Sequence, residues 1–183
     1  LAASTAIGGG IIRDLMLGHT PPIALQSSLY FFLIIAAMLG TTAMIRYFDA
    51  NIRSKVMHHS AYIYLAGDTI GLASFTITGT LSGLYFNPDM WVLIITLGVI
   101  TAVGGGVIRD VLAGKVPSVL VHDIYATAAL LGSVTLYVLV IIDWPVDVAA
   151  LISFFTTVSS RVMAIKAKLD MPHVKRKRRG QWL

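Results

Sequence analysis

The sequence predicts an all-α membrane protein built from an inverted repeat of three transmembrane helices plus a seventh helix. Three observations predict this fold: an apolar composition, six apolar segments of membrane-spanning length, and a motif that occurs twice. Hydrophobic residues make up 56% of the 183-residue chain, charged residues make up 13%, and the mean hydropathy is +0.80. Since soluble domains carry about 25% charged residues, this composition disfavours a soluble domain and excludes a disordered chain.

The six apolar segments follow one another through short connections. They cover roughly residues 1–17, 28–48, 61–85, 91–112, 124–142 and 147–165. Turn-forming residues, such as Asn87-Pro88-Asp89 and Asp143-Trp144-Pro145, separate them. The first segment is short and opens the chain directly. We therefore expect that the native protein has a further helix before it, which is absent from this chain.

The distribution of Lys and Arg predicts the orientation of the spans, because these residues stay on the cytoplasmic side in short loops. The loop after the second span holds Arg53 and Lys55, and the loop after the fourth holds Lys115. Half of the fourteen Lys and Arg residues lie in the C-terminal tail. The loops at 86–90 and 143–147 contain neither residue type. The pattern predicts a cytoplasmic C-terminus.

The basic tail is the main polar segment of the chain. Because it directly follows a membrane span, we interpret its basic run as an anchor for anionic lipid headgroups rather than as a nucleic-acid site. The run consists of Lys175, Arg176, Lys177, Arg178 and Arg179. Cysteine is absent, and no nucleophile–base pair or metal-ligand cluster is recognisable. We expect neither an enzyme nor a metal or cofactor site.

A repeated motif divides the chain. The segment Gly8–Pro21 recurs as Gly104–Pro117 at a constant offset of 96 residues, with eight of fourteen positions identical. The copies lie in the first and fourth spans, so they cross the membrane in opposite directions, as in many transporters. We assign residues 1–60 to a truncated first repeat with its cytoplasmic loop, 61–143 to the second repeat, and 144–183 to the last helix and the basic tail.

Each copy of the motif begins with three consecutive glycines. They are Gly8, Gly9 and Gly10 in the first copy and Gly104, Gly105 and Gly106 in the second. Each glycine costs about 1 kcal/mol in a helix relative to alanine, so the triplets require a reason. We favour kinked and interrupted helices whose exposed carbonyls line a cation path. The alternative is that the glycines allow two helices to pack closely.

An arginine and an aspartate follow each glycine triplet. Arg13-Asp14 and Arg109-Asp110 lie within apolar segments, where charges are costly and face a cavity or a partner. Adjacent residues diverge by about 100° around a helix, so we expect each arginine to pair elsewhere than with the next aspartate. We assign these four residues to gating or charge pairing. The alternative is that the arginine reaches the membrane interface and the aspartate caps a neighbouring helix.

Asp68 is an acidic residue within the third span. Small and hydroxyl-bearing residues accompany it, beginning with Thr69 and continuing to Ser82. This face of the helix either lines a hydrated path or packs against other helices, and the sequence supports both interpretations equally. The acidic side chain favours the path, so we assign Asp68 and Thr69 to it.

Together these motifs resemble the prokaryotic TRIC (trimeric intracellular cation) channels and the related bacterial membrane proteins with a glycine-transporter domain. The resemblance includes the pattern from Asp68 to Gly79, Tyr125-Ala126 in the fifth span, and Arg161-x-x-Ala164-Ile165 in the last. It implies a homotrimer in a prokaryotic plasma membrane, with one pore per protomer between the two glycine-kinked helices.

The permeant ion implied by the resemblance is K⁺ or Na⁺, with membrane lipid as a further ligand and no nucleic-acid partner. The resemblance fits a second function equally well, namely a secondary transporter of glycine or a similar small zwitterion.

Overall fold

The structure, a computed structural model, describes residues 2–51, 56–121 and 124–167. Within these ranges the helices are α1 (Ala2–Met16), α2 (Ile23–Gln26), α3 (Ser28–Asn51), α4 (Val56–Phe86), α5 (Trp91–Leu112), α6 (Ser118–Val121), α7 (Ile124–Ile141) and α8 (Val146–Ala167). The six long helices coincide with the six predicted spans, which confirms the all-α prediction. The one-turn helices α2 and α6 are not predicted, because four residues carry too little periodicity to be recognised.

Large apolar side chains face outward, whereas the interior is rich in small and hydroxyl-bearing side chains. Exposed examples are Phe32 and Leu39 on α3 and Phe155 on α8. Residues with no exposed surface include Ala73, Thr76, Thr80, Ala128, Ala129, Ser133, Ala149, Ser153 and Thr157. A soluble protein shows the reverse distribution, whereas helices in lipid approach one another through small residues.

Two of the described helices are, by length and composition, each able to cross a membrane. They are Trp91–Leu112 and Val146–Lys166. Shorter apolar stretches occupy Phe31–Gly40 in α3 and Tyr125–Ile141 in α7. The outward-facing apolar side chains and these stretches together indicate a membrane environment.

The helices α1 and α5 contact each other through reciprocal pairs of residues. A Cβ atom added to Gly9 would overlap the carbonyl oxygen of Thr101, and one added to Gly105 would overlap the carbonyl oxygen of Thr5. Since Thr5 and Thr101 are also 96 positions apart, the two contacts are equivalent in the repeat. The repeat therefore extends upstream of the glycines, and its two copies pack directly against each other.

The glycine triplets allow this close approach without ending either helix. Both α1 and α5 continue as α-helix through their triplets. The interpretation that the glycines interrupt the helices is therefore wrong, and the contacts of Gly8, Gly9, Gly104 and Gly105 support the alternative of close packing. Glycine is required at positions Gly9 and Gly105 because the backbone of the other helix occupies the space that a side chain would need.

Both repeat helices end in the same turn. Gly18 (φ +74°) and Gly114 (φ +66°) adopt the left-handed conformation that glycine tolerates best. The N–H of the residue after each glycine donates a hydrogen bond to the backbone carbonyl of the aspartate. The donor is His19 to Asp14 at 2.8 Å, and Lys115 to Asp110 at 2.9 Å. This is the Schellman arrangement, and it explains why the repeat retains a glycine after the Arg-Asp pair.

Replacing Gly105 by alanine is expected to destabilise the protein. The added methyl group would meet a backbone carbonyl, so α1 and α5 would have to separate, at a cost of about 1–3 kcal/mol. Gly40→Ala is the matched control, because a Cβ at that position in α3 would meet no neighbouring helix within 4 Å. Thermal unfolding in detergent should give a lower Tm for Gly105→Ala alone. Equal Tm values for the two variants would contradict the packing role.

Candidate functional site

Two cavities flank the contact between α1 and α5. We call the first the Asp68 cavity; its volume is about 310 Å³, and it is lined by Thr5, Gly67, Asp68, Gly71, Leu72, Phe75, Ala102, Gly106, Arg109 and Tyr125. We call the second the Arg13 cavity; its volume is about 360 Å³, and it is lined by Ala6, Ile7, Gly10, Arg13, Ile23, Ala24, Ser27, Phe75, Thr78 and Thr101. Phe75 lines both cavities.

The two cavities are related by the repeat. Gly10 and Arg13 line one cavity, and their equivalents Gly106 and Arg109 line the other. Along α4, the Asp68 cavity precedes the Arg13 cavity. From the first cavity to the second, the residue numbers of the lining side chains rise along α1, from Thr5 to Arg13. Along α5 they fall, from Arg109 to Thr101. The two repeat helices therefore run in opposite directions, as predicted.

Each arginine of the motif pairs with the aspartate that follows it. Arg13 Nη2 lies 2.7 Å from Asp14 Oδ1, and Arg109 Nε lies 2.9 Å from Asp110 Oδ1. The expectation that adjacent residues diverge too far to pair is wrong. The long arginine side chain folds back around the helix, so the angle between the Cβ atoms does not separate the charged ends.

Asp14 also holds the short helix α2 in place. Only 1% of its surface is exposed, and its Oδ2 atom accepts a hydrogen bond of 2.8 Å from the N–H of Ile23, the first residue of α2. The alternative interpretation, in which the aspartate caps a neighbouring helix, is thus confirmed for Asp14. Because Ile23 lines the Arg13 cavity, this bond fixes one of its walls.

A second charged cluster contains Asp68. The hydroxyl of Tyr125 donates a hydrogen bond of 3.2 Å to Asp68 Oδ1, and Arg161 Nη2 lies 3.9 Å from Asp68 Oδ2. The guanidinium of Arg161 also stacks over the Tyr125 ring, 4.4 Å from its centroid. Three helices, α4, α7 and α8, thus meet at this cluster.

Sequence reasoning does not assign Arg161 or Tyr125 to the site. Arg161 lies outside the repeat, so the self-comparison carries no signal for it. A signal was nevertheless present, because a charged residue within an apolar span is expected to face a cavity or a partner. Phe75 and Thr101 are also missed, since an aromatic and a hydroxyl residue are common in such helices.

The predicted ion-path residues occupy different surroundings. Gly10 and Gly106 line the two cavities, whereas the other four glycines lie in the contact between α1 and α5. Thr69 is buried, and its hydroxyl donates to the carbonyl of Leu65 at 2.7 Å. The basic run at Lys175–Arg179 lies outside the described residues. Within the described ranges, no group of three metal-ligating side chains is present.

One part of the hydroxyl-bearing face of α4 packs against other helices, and another part lines a cavity. Thr76 and Thr80 are fully buried, and Thr80 Oγ1 lies 2.7 Å from Ser133 Oγ on α7, so this part packs against other helices. Thr78 lines the Arg13 cavity. Opposite it on α5, the Thr101 hydroxyl is buried and has no hydrogen-bond partner in the described part of the chain. The Thr101 hydroxyl faces α4, since a Cβ atom added to Gly79 would lie 2.6 Å from it.

A protein-family model and several similar proteins show which family the chain belongs to. The family model described as glycine transporter matches residues 1–46 and 65–140, about two thirds of the sequence. The chain belongs to this family. Among its relatives, a UPF0126 membrane protein of Vibrio cholerae is 36% identical over 94% of this chain and 68% of its own length. The UPF0126 inner membrane protein YadS of Escherichia coli K12 is 32% identical over 94% of this chain and 79% of its own length.

Solved structures of TRIC cation channels have the same fold. One, described in work on conductance through these channels, superposes with a TM-score of 0.77 at 36% identity, over 98% of this chain and 81% of that one. The TRIC trimeric intracellular cation channel orthologue of Rhodobacter sphaeroides superposes with a TM-score of 0.76 at 33% identity, over 91% of this chain and 81% of that one. The predicted resemblance is confirmed.

Replacing Asp14 by alanine is expected to lower the stability strongly. The change leaves the Arg13 guanidinium without its carboxylate and removes the cap of α2; breaking a buried pair in this way costs about 3–5 kcal/mol. Asp89→Ala is the matched control, because Asp89 is exposed in the turn before α5. Thermal unfolding in detergent should show a large decrease in Tm for Asp14→Ala and almost none for the control. A similar Tm for both variants would contradict the structural role of the pair.

Proposed function

We propose that this protein is a membrane channel for monovalent cations, K⁺ or Na⁺. The ion path runs from the Asp68 cavity past Phe75 into the Arg13 cavity. The observation that carries the proposal is the shared wall: two oppositely oriented cavities meet at one aromatic side chain. The structural relatives described as TRIC cation channels support the same function.

The polar groups along this path suit a cation. Asp68 supplies a carboxylate to one cavity, and Thr78 supplies a hydroxyl oxygen to the other. Oxygen ligands replace part of the hydration shell of a monovalent cation. Arg13 and Arg109 would repel a cation if they were unpaired, but each is neutralised by its neighbouring aspartate.

The assembly and the orientation belong to the same proposal. The Rhodobacter sphaeroides relative is described as trimeric, which supports a homotrimer with one path in each protomer. The loop charges put the start of α4 on the cytoplasmic side, so the Asp68 cavity opens to the cytoplasm and the Arg13 cavity to the outside. The Escherichia coli relative is named an inner membrane protein, which supports a plasma-membrane location. The basic run Lys175–Arg179 then meets anionic lipids at the cytoplasmic face.

A second candidate function is the transport of glycine or another small zwitterion. The Asp68 cavity is lined by both a carboxylate, from Asp68, and a guanidinium, from Arg109. These two groups complement the ammonium and carboxylate ends of an amino acid. The family description as a glycine transporter points in the same direction.

Replacing Phe75 by alanine is expected to raise the unitary conductance, on the order of twofold, because it widens the wall between the two cavities. Phe155→Ala is the matched control, since Phe155 is 66% exposed on the outer surface of α8. Single-channel recording in planar bilayers with asymmetric KCl measures both variants.

Unitary currents that reverse near the K⁺ equilibrium potential, with a larger conductance for Phe75→Ala alone, are the expected result. Equal conductance in the two variants would remove Phe75 from the path. A silent wild-type protein that takes up radiolabelled glycine in a saturable manner would select the transporter instead.

A further inference from the structure

We propose that Arg161 is a positioning residue that sets the cation affinity of the Asp68 cavity, and so keeps divalent cations from blocking the path. The inference rests on the proposed channel function and deepens it. Arg161 does not line the cavity itself. It acts through the Asp68 carboxylate, which does.

The packing of α8 against α7 determines where Arg161 lies. Ser153 Oγ donates a hydrogen bond of 2.8 Å to the carbonyl of Gly132, and the Thr157 side chain packs directly on Gly132. Ser153, Thr157 and Arg161 are spaced four residues apart, so they lie on one face of α8. All three are buried. The contact at Gly132 therefore fixes the position of Arg161 over the ring of Tyr125, two turns away on α7.

The two oxygens of the Asp68 carboxylate have different partners. Tyr125 donates a hydrogen bond to Oδ1 and fixes the orientation of the carboxylate. The distance of 3.9 Å from Arg161 Nη2 to Oδ2 is too long for a hydrogen bond. The guanidinium therefore reduces the negative field of Asp68 without occupying the lone pairs of Oδ2. A passing cation or its water molecules can still bind there.

The Arg161 guanidinium is held by packing and stacking rather than by a full set of hydrogen bonds. Only 7% of the residue is exposed, and its Nε atom has no hydrogen-bond partner among the described residues. The guanidinium stacks on the Tyr125 ring and is attracted electrostatically to the Asp68 carboxylate. An arginine buried with an unsatisfied donor is a costly choice for stability alone, which favours a role in the electrostatics of the cavity.

The charges around the Asp68 cavity balance in pairs. Arg109 is paired with Asp110, and Arg161 lies beside Asp68. Loss of the Arg161 charge would leave one uncompensated carboxylate in a partly dehydrated cavity. Conduction requires that an ion binds strongly enough to enter but weakly enough to leave. A divalent cation, attracted twice as strongly as K⁺, would then remain bound and block the path.

The test compares Mg²⁺ block of K⁺ current in the wild type and in charge variants at this position. For Arg161→Gln we expect half-block at an Mg²⁺ concentration about tenfold lower than for the wild type, because one neutralising charge is removed near the carboxylate. Arg161→Lys keeps the charge and should restore sensitivity close to the wild type. The double variant Asp68→Asn/Arg161→Gln removes both charges and should also lose the increased block.

A current-independent readout uses the same proteins in detergent. Mg²⁺ should raise the Tm of Arg161→Gln more than that of the wild type or of the double variant, since only the single variant has an uncompensated carboxylate. If Arg161→Gln conducts and neither its Mg²⁺ block nor its Mg²⁺-dependent Tm differs from the wild type, the proposed role of Arg161 is overturned. A wild type that carries no current overturns the channel function itself, which is a different result.

Discussion

The backbone contact between the two glycine-containing helices is the constraint on which the rest of the structure depends. Gly9 and Gly105 bring α1 and α5 so close that each meets a carbonyl oxygen of the other helix. This contact leaves one cavity on each side, and the repeat gives both cavities a glycine and an arginine at equivalent positions. A side chain at either glycine would push the helices apart and change both cavities together.

Charge balance is the second constraint, because ionised groups within a membrane are costly unless they are paired. The two Arg-Asp pairs of the repeat meet this requirement locally, through neighbours in sequence. Asp68 meets it through Tyr125 and Arg161, which come from two other helices. The Arg-Asp pairs of the repeat helices are thus neutral overall. Asp68 has no adjacent arginine, and Arg161 on α8, which lies outside the repeat, partly neutralises it.

The sequence predicts the architecture better than it predicts the contacts. The apolar segments predict the helices, and the repeated motif predicts their inverted arrangement. Both patterns extend over many residues, so they are recognisable without knowledge of individual contacts. The interpretation of the triplets as helix breaks is wrong, since sequence alone does not show that Thr5 and Thr101 lie opposite Gly105 and Gly9. The Arg-Asp pairing is missed because it depends on the arginine conformation. The role of Arg161 depends on the packing of α8 against α7, for which the sequence carries no pairing signal.

The most direct test of two oppositely facing cavities joined at Phe75 is cysteine accessibility, because the chain contains no cysteine of its own. Gly67→Cys places a thiol in the Asp68 cavity, and Thr78→Cys places one in the Arg13 cavity. With a charged, membrane-impermeant thiol reagent, we expect Gly67→Cys to be modified only from the cytoplasmic side and Thr78→Cys only from the outside, with a change in current in each case. Modification of both positions from the same side would contradict the account.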